Sequence, residues 1–130
     1  MTVYLESSAA AKLLVAEAET RALTGYLHQA SQSGEWIIAC ALLETELRRL
    51  AVRRDLSQGD VTLIIARLDI VELDRACYRQ AGLLPGPNLR SLDAIHVAVA
   101  LRGGADSMIT YDLRQADAAR ASGLEVLAPS

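Results

Sequence analysis

One stretch restricts the fold of this chain more than any other: Arg90-Ser91-Leu92-Asp93-Ala94-Ile95-His96-Val97-Ala98-Val99-Ala100-Leu101. From Leu92 to Leu101 every residue is apolar except Asp93 and His96. A helix that is apolar on all its faces has to lie in a core. A carboxylate at the mouth of such a helix is costly unless it is hydrogen-bonded, paired or bound to a metal. The rest of the chain must therefore supply a partner for Asp93.

Around this stretch the pattern alternates between short strands and helices. Thr2-Val3-Tyr4-Leu5 reads as a strand ending at Glu6, and Ser7-Ser8 can cap a helix that opens at Ala9. Residues 18–32 read as a second helix, closed by Ser33-Gly34. Trp36-Ile37-Ile38-Ala39 is a continuously apolar strand. Residues 42–54 follow as an amphipathic helix with Leu43, Leu47 and Leu50 inward and its arginines mostly outward. A helix from Val61 to Leu68 leads into a strand at Ile70-Val71-Glu72-Leu73, and Asp74 can cap a helix through Leu83. Pro85-Gly86-Pro87-Asn88 is a loop. Beyond the central helix, Gly103-Gly104 stops the chain, Ser107 to Thr110 forms a strand, Asp112 caps a helix to Ala121, and Glu125-Val126-Leu127 is a last short strand.

Strands of about four residues separated by helices need crossover connections, which parallel sheets covered on both faces provide. The expected class is α/β, a three-layer α/β/α arrangement around a mostly parallel sheet. At 130 residues, the whole of 1–130 is expected to form one domain. Cys40 and Cys77 lie far apart with no CxxC or Cys/His cluster. They read as reduced structural thiols suited to a cytoplasmic protein. Neither a basic leader nor an apolar run of membrane-spanning length is present, so a soluble protein is expected.

A net charge of −3 argues against coating nucleic acid by bulk charge. Local charge differs, because Arg48, Arg49, Arg53 and Arg54 lie close together. They form either a solvated helix face or a contact for phosphate or a partner.

Open α/β sheets bind ligands outside the carboxyl ends of their strands. Glu6 follows the first strand, Glu46 lies in the first turns of the helix after the second, Asp93 opens the central helix, and Asp112 lies just past the fourth strand. Taken singly, each acid also reads as a cap, a strand end or a helix-surface residue. Gathered at one edge, four carboxylates repel one another by several kcal/mol, on the order expected for close like charges, unless a cation intervenes or some protonate. Oxygen donors without a cysteine or a usable histidine pair favour Mg²⁺ or Mn²⁺. Such ions activate water and stabilise charge on a phosphate, which points to phosphodiester hydrolysis.

Val3-Tyr4-Leu5-Glu6-Ser7-Ser8-Ala9, Glu46-Leu47-Arg48-Arg49, Leu92-Asp93-Ala94-Ile95-His96 and Ile109-Thr110-Tyr111-Asp112 resemble, in order and spacing, the motifs of PIN-domain proteins of the VapC toxin type. The tail from Ala118 to Leu127 is similar to that family's ending. The resemblance implies a Mg²⁺- or Mn²⁺-dependent endoribonuclease, usually a homodimer, neutralised by a VapB-type antitoxin. Glu46, Asp93 and Asp112 match the family's acids, Thr110 stands beside the last, and Ser8 matches a small hydroxyl residue near the first. Glu44 competes with Glu46, which the Glu-Leu-Arg context and its spacing to Leu43, Leu47 and Leu50 favour. Asp117 reads as an outer carboxylate of the site or, more simply, as a surface acid.

One position departs from the family. Its first acid is ordinarily aspartate, and Glu6 is one methylene longer. Mg²⁺ demands near-octahedral geometry, so weakened metal binding and reduced cleavage are expected. The resemblance also implies that residues 9–32 and 42–54 offer an antitoxin its surface. His96, three residues after Asp93, reads as a ligand or, more simply, as a core or interface histidine, Trp36 as packing, and His28 carries no motif. Two rival functions remain for comparison. A non-catalytic PIN-like module would keep the partner surface without cleavage. A phosphoacceptor receiver needs adjacent acids after the first strand and a lysine after the last, whereas the chain's one lysine is Lys12.

Overall fold

The computed structural model describes residues 1–130. The elements are β1 (Thr2–Leu5), α1 (Ser7–Leu14), α2 (Thr20–Gln32), β2 (Trp36–Cys40), α3 (Leu42–Arg54), α4 (Gln58–Ile65), β3 (Asp69–Val71), α5 (Arg75–Gly82), α6 (Ser91–Arg102), β4 (Ser107–Ile109), α7 (Leu113–Ala121) and β5 (Glu125–Leu127). The strands form one sheet in the order β3-β2-β1-β4-β5, with every neighbouring pair parallel. At least one helix separates each strand from the next, so no hairpin connection is available to make an antiparallel pair.

Alternation along the strands sorts the helices into two layers. Val3 and Leu5 of β1, Ala39 of β2 and Ile109 of β4 join a core with Leu23, Leu43, Leu47, Ala51 and Val61, which belong to α2, α3 and α4. The intervening Tyr4, Ile38, Cys40 and Met108 face the other way, onto Cys77, Val97, Val99, Ala100 and Ala119 of α5, α6 and α7. The three-layer α/β/α architecture follows from this partition. Cys40 and Cys77 are buried free thiols, and no helix is long and apolar enough to cross a membrane.

Several local expectations shift. Glu6, and not the Ser7-Ser8 pair, caps α1: its carboxylate accepts from the Ser8 backbone N–H, so the helix begins at Ser7. Helix α4 starts three residues before Val61, because the Ser57 hydroxyl accepts from Asp60 N and supplies the cap. The third strand is Asp69–Val71, ending before Glu72. On α3 the inward stripe is Leu43, Leu47 and Ala51, with Leu50 half-buried, as the four-residue repeat along one helix face requires. The first turn of α6 lies outside the core. Leu92 is 52% exposed, and continuous burial starts only at His96, where α5 and α7 flank the helix. Trp36 is mostly exposed, since it pairs with Thr2 at the amino edge of the sheet and does not serve as packing.

The strand order matters for function. The chain steps outward from β1 to β2 to β3, then returns to place β4 on the other side of β1. Such a reversal opens a crevice at the carboxyl ends of the two strands that flank it. Here those strands are β1 and β4.

The layer assignment makes a contrast measurable in urea denaturation. Met108→Ala, at the fully buried centre of the sheet, should cost about 2–5 kcal/mol. Leu113→Ala, in a side chain 82% exposed, should change stability by less than about 0.5 kcal/mol. Similar losses in both variants would contradict this core.

Candidate active site

At the reversal, β1 and β4 end side by side. The Glu6 backbone N–H donates to Ile109 O at 3.1 Å. The Glu6 side chain is nearly buried, and its Oε2 accepts three hydrogen bonds, from Ser8 N at 3.0 Å, from Ser8 Oγ, and from Thr110 Oγ1 at 2.7 Å. Ser8 Oγ also accepts from Tyr111 N at 3.0 Å, and Thr110 Oγ1 accepts from Asp112 N at 3.1 Å. Two hydroxyls thus lock the first acid to the loop that carries the last. Oε1 of Glu6 is left outside this set.

Glu46 reaches the same edge from α3. Its Oε1 accepts from Ser7 Oγ at 2.7 Å and lies 2.8 Å from His96 Nε2. The Tyr4 hydroxyl lies 2.6 Å from His96 Nδ1 on the ring's other side. Burial alone raises the Glu46 carboxyl, but its contacts with His96 and Ser7 outweigh that and bring it below the ordinary value. Glu44 points elsewhere, onto Arg48 Nε at 2.7 Å on the helix surface.

Asp93 and Asp112 open two adjacent helices. Asp112 caps α7, its Oδ1 accepting from Arg114 N at 2.9 Å and Gln115 N at 3.3 Å. Gln115 is fully buried, and its side-chain amide donates to Asp93 O at 3.1 Å, tying the first turn of α6 to that of α7. Burial, then the negative charge of Asp112, with Glu46 adding to it, pushes the Asp93 carboxyl up, against the positive charge of Arg90. Of the acids near it, Asp112 acts on Asp93 most strongly. Asp117 faces solvent on α7, with a loose contact to Arg120 at 3.7 Å.

These residues fit a hard divalent cation in donor chemistry and in charge, because the donors are carboxylate and hydroxyl oxygens and Asp93 is under repulsion that a cation relieves. As the side chains lie, no three carboxylates, histidines or cysteines converge on one point as a ligand cluster. The side chains of Ser7, Tyr4 and Gln115 join the site without having been singled out for it by sequence, and His96 joins as a partner of Glu46. His96 carried a signal, since three residues from Asp93 on a helix is the same face. Ser7 was masked by its reading as a cap, Tyr4 by the strand, and Gln115 by an unremarkable helix.

An all-parallel sheet with acids at its reversal is the architecture of a PIN domain, and a family model described as PIN domain matches residues 3–121. Ribonuclease VapC35 of Mycobacterium tuberculosis is 41% identical over 133 residues, spanning 98% of this chain and 96% of that protein. Ribonuclease VapC46 of the same organism is 38% identical, spanning 98% of each. Among solved structures, VapBC2 of Rickettsia felis bound to a promoter DNA fragment superposes with a TM-score of 0.77 at 15% identity over 100% of both chains. VapC20 of Mycobacterium tuberculosis, a sarcin-ricin loop cleaving toxin, gives 0.71 at 17% identity over 98% of this chain and 99% of its own. The chain belongs to the VapC ribonucleases of the PIN-domain family.

The state of Asp93 has a consequence for stability. A carboxyl whose pKa is raised by folding stabilises the fold while protonated and loses that contribution as pH rises through the raised value. At neutral pH without divalent cations, Asp93→Asn should therefore raise the melting temperature, by about 1–3 °C for a partly exposed, screened group. The gain should vanish below the ordinary carboxylate range. A fall in melting temperature at pH 7 would contradict the repulsion.

Proposed function

We propose that this chain is a divalent-cation-dependent endoribonuclease held in check by a VapB-type antitoxin, with residues 1–130 acting as one domain. The observation that carries this reading is that the charge of Asp112 raises the Asp93 carboxyl, while Thr110 ties the backbone of Asp112 to Glu6 at the carboxyl ends of β1 and β4. Glu6, Asp93 and Asp112 are the residues that hold Mg²⁺ or Mn²⁺. When bound, the ion acidifies a water and stabilises negative charge on the phosphate undergoing in-line displacement. Ser8 and Thr110 fix Glu6, so that Oε1 is the oxygen it offers. Glu46 orients the attacking water through Oε2, the oxygen that takes no hydrogen bond from the protein. Its lowered pKa makes it a poor store for a proton and a good fixed acceptor. Asp117, facing solvent, acts at most on the rim.

Glu6 sets the rate. Its carboxylate is bent back as the α1 cap, and three donors already claim one of its oxygens. Aspartate there, still a good cap, leaves more room for a cation. Mg²⁺-supported cleavage of total RNA should be lost, by more than about 100-fold, in Asp93→Asn and in Asp112→Asn with circular dichroism unchanged. Glu6→Asp should cleave faster than the chain as it stands. Undiminished cleavage in either asparagine variant would sink the metal-site assignment. Equal rates for Glu6→Asp and the unaltered chain would refute the attenuation, and no cleavage with no Mn²⁺ binding by calorimetry would leave a partner-binding module.

The antitoxin surface we propose is a groove of about 830 Å³ between α1, α2 and α4, lined by Leu13, Leu14, Leu27, Ile64 and Leu68, with Asp60 and Arg67 on its rim. An amphipathic segment lays its apolar face in such a groove. It draws on α1 and α2 as expected, and on α4 in place of α3, where Arg48 is occupied by Glu44, Gln58 and Thr62. A homodimer completes the assembly implied by the family. Ile64→Asp should prevent co-purification with a co-expressed VapB-type antitoxin and leave RNA cleavage intact; retained co-purification would place the antitoxin elsewhere.

A further inference from the structure

The buried pair of Tyr4 and His96 contacts no reacting group, yet it ends on Glu46. The two rings meet edge to face, with centroids 5.9 Å apart and an interplanar angle of 75°. Tyr4 is 0% and His96 1% exposed.

Donor and acceptor counting fixes the protons. An ionised carboxylate only accepts, so the nitrogen 2.8 Å from Glu46 Oε1 must carry hydrogen: His96 is protonated at Nε2. The Ser7 hydroxyl has one hydrogen, given to Oε1, and its oxygen, 3.2 Å from Nε2, is a secondary acceptor for the same N–H. At Nδ1 the only hydrogen-bonding neighbour is the Tyr4 hydroxyl. A phenol carries its proton at neutral pH, so the Tyr4 hydroxyl can donate to Nδ1. Were Nδ1 protonated too, the phenolic hydrogen would have to turn from a strong acceptor to the weak one that the Cys40 sulfur offers, and the imidazolium charge would be buried beside it. The neutral ring, accepting from Tyr4 and donating to Glu46, satisfies every group.

We propose that Tyr4 and His96 are positioning residues: Tyr4, donating to Nδ1, holds the ring in place and keeps that nitrogen an acceptor, while the Nε2–H that Glu46 requires, with Ser7, holds Glu46 Oε1 so that Oε2 faces the reacting edge. This rests on the reading of Glu46 as the acid that orients water. Packing does not require the arrangement, because replacing both partners of a buried hydrogen bond by apolar groups of similar shape is close to neutral for stability. What the polar chain adds is a fixed position for a carboxylate carried by α3, held from the opposite helix layer by α6 and from the sheet by β1.

Two-bond ¹H–¹⁵N histidine spectra of the whole chain read the tautomer without any catalysis. At pH 7 the ring of His96 should be neutral and protonated at Nε2, and Tyr4→Phe should move the Nδ1 resonance to higher frequency, as a lone pair without a donor does, while hydrogen stays on Nε2. An Nδ1–H tautomer or an imidazolium in the unaltered chain would overturn the proposal. In RNA cleavage with Mg²⁺, Tyr4→Phe/His96→Leu should keep its melting temperature within a few degrees while kcat falls about 10- to 100-fold and KM stays unchanged. His96→Gln, whose amide can still donate to Glu46, should recover part of the rate despite packing less well than leucine. A structural role alone predicts the reverse order, with the better-packed leucine variant the more active, and that result would also overturn the proposal. Tyr4→Phe keeps its ring and carries both readouts where the double variant does not fold. Lack of cleavage by the unaltered chain would refute the ribonuclease reading alone, leaving the tautomer to the spectra.

Discussion

The pairing of β1 with β4 is the constraint on which the site depends. Parallel neighbours cannot be joined by a tight turn, so the chain reaches β4 only after building β2, β3 and the helices α1 to α6, and it then docks on the free side of β1. That return creates the reversal of strand order. It also brings the loop after β4 against the loop after β1, where Thr110 and Ser8 share their hydroxyls around one oxygen of Glu6. Shifting either strand by one residue would turn Thr110 or Glu6 to the opposite face. The backbone ladder and the hydroxyl network therefore enforce each other.

The carboxylates are in tension with this frame. A core of Leu5, Ile109, Leu43 and Val97 stabilises the protein, while the edge above it concentrates like charges. The two functions are separated by one residue at each strand end: Leu5 is fully buried and Glu6 begins the site, Ile109 is fully buried and Thr110 begins the site. Helix N-termini of α1, α6 and α7 meet at this edge, and their orphan N–H groups favour negative charge there. Part of the repulsion is thereby offset by backbone already present.

Much of this was legible in the sequence. Strands of three to five residues leave little ambiguity when helices with their own caps separate them, so the α/β class and most element positions could be read. The acids could be placed because each follows a strand end or opens a helix. What could not be read was which atoms they touch. The cap of α1 illustrates this: serines at 7 and 8 are good caps by propensity, but the Ser7 hydroxyl goes to Glu46 and the Ser8 hydroxyl to Glu6 itself, and Glu6 takes the cap. His96 shows the same limit. Its burial follows from the apolar run around it, whereas its bond to Glu46 joins residues 50 apart in the chain, set by the angle at which α6 crosses the sheet.

The hydrogen bonds that define the site are among the longest-range contacts in the protein: Tyr4 to His96 spans 92 positions, and Thr110 to Glu6 spans 104. A growing chain emerging from the ribosome carries Glu6 and Glu46 early but lacks His96, Asp93 and Asp112 until most of it has been made. Loops of that length close late in folding. Assembly of the acidic edge is therefore a late event of synthesis, and a chain stalled before α6 exposes its first two acids without His96 or Thr110 to order them. For a member of a ribonuclease toxin family, this topology delays the acidic edge until the fold, and with it the groove beside α4, is complete.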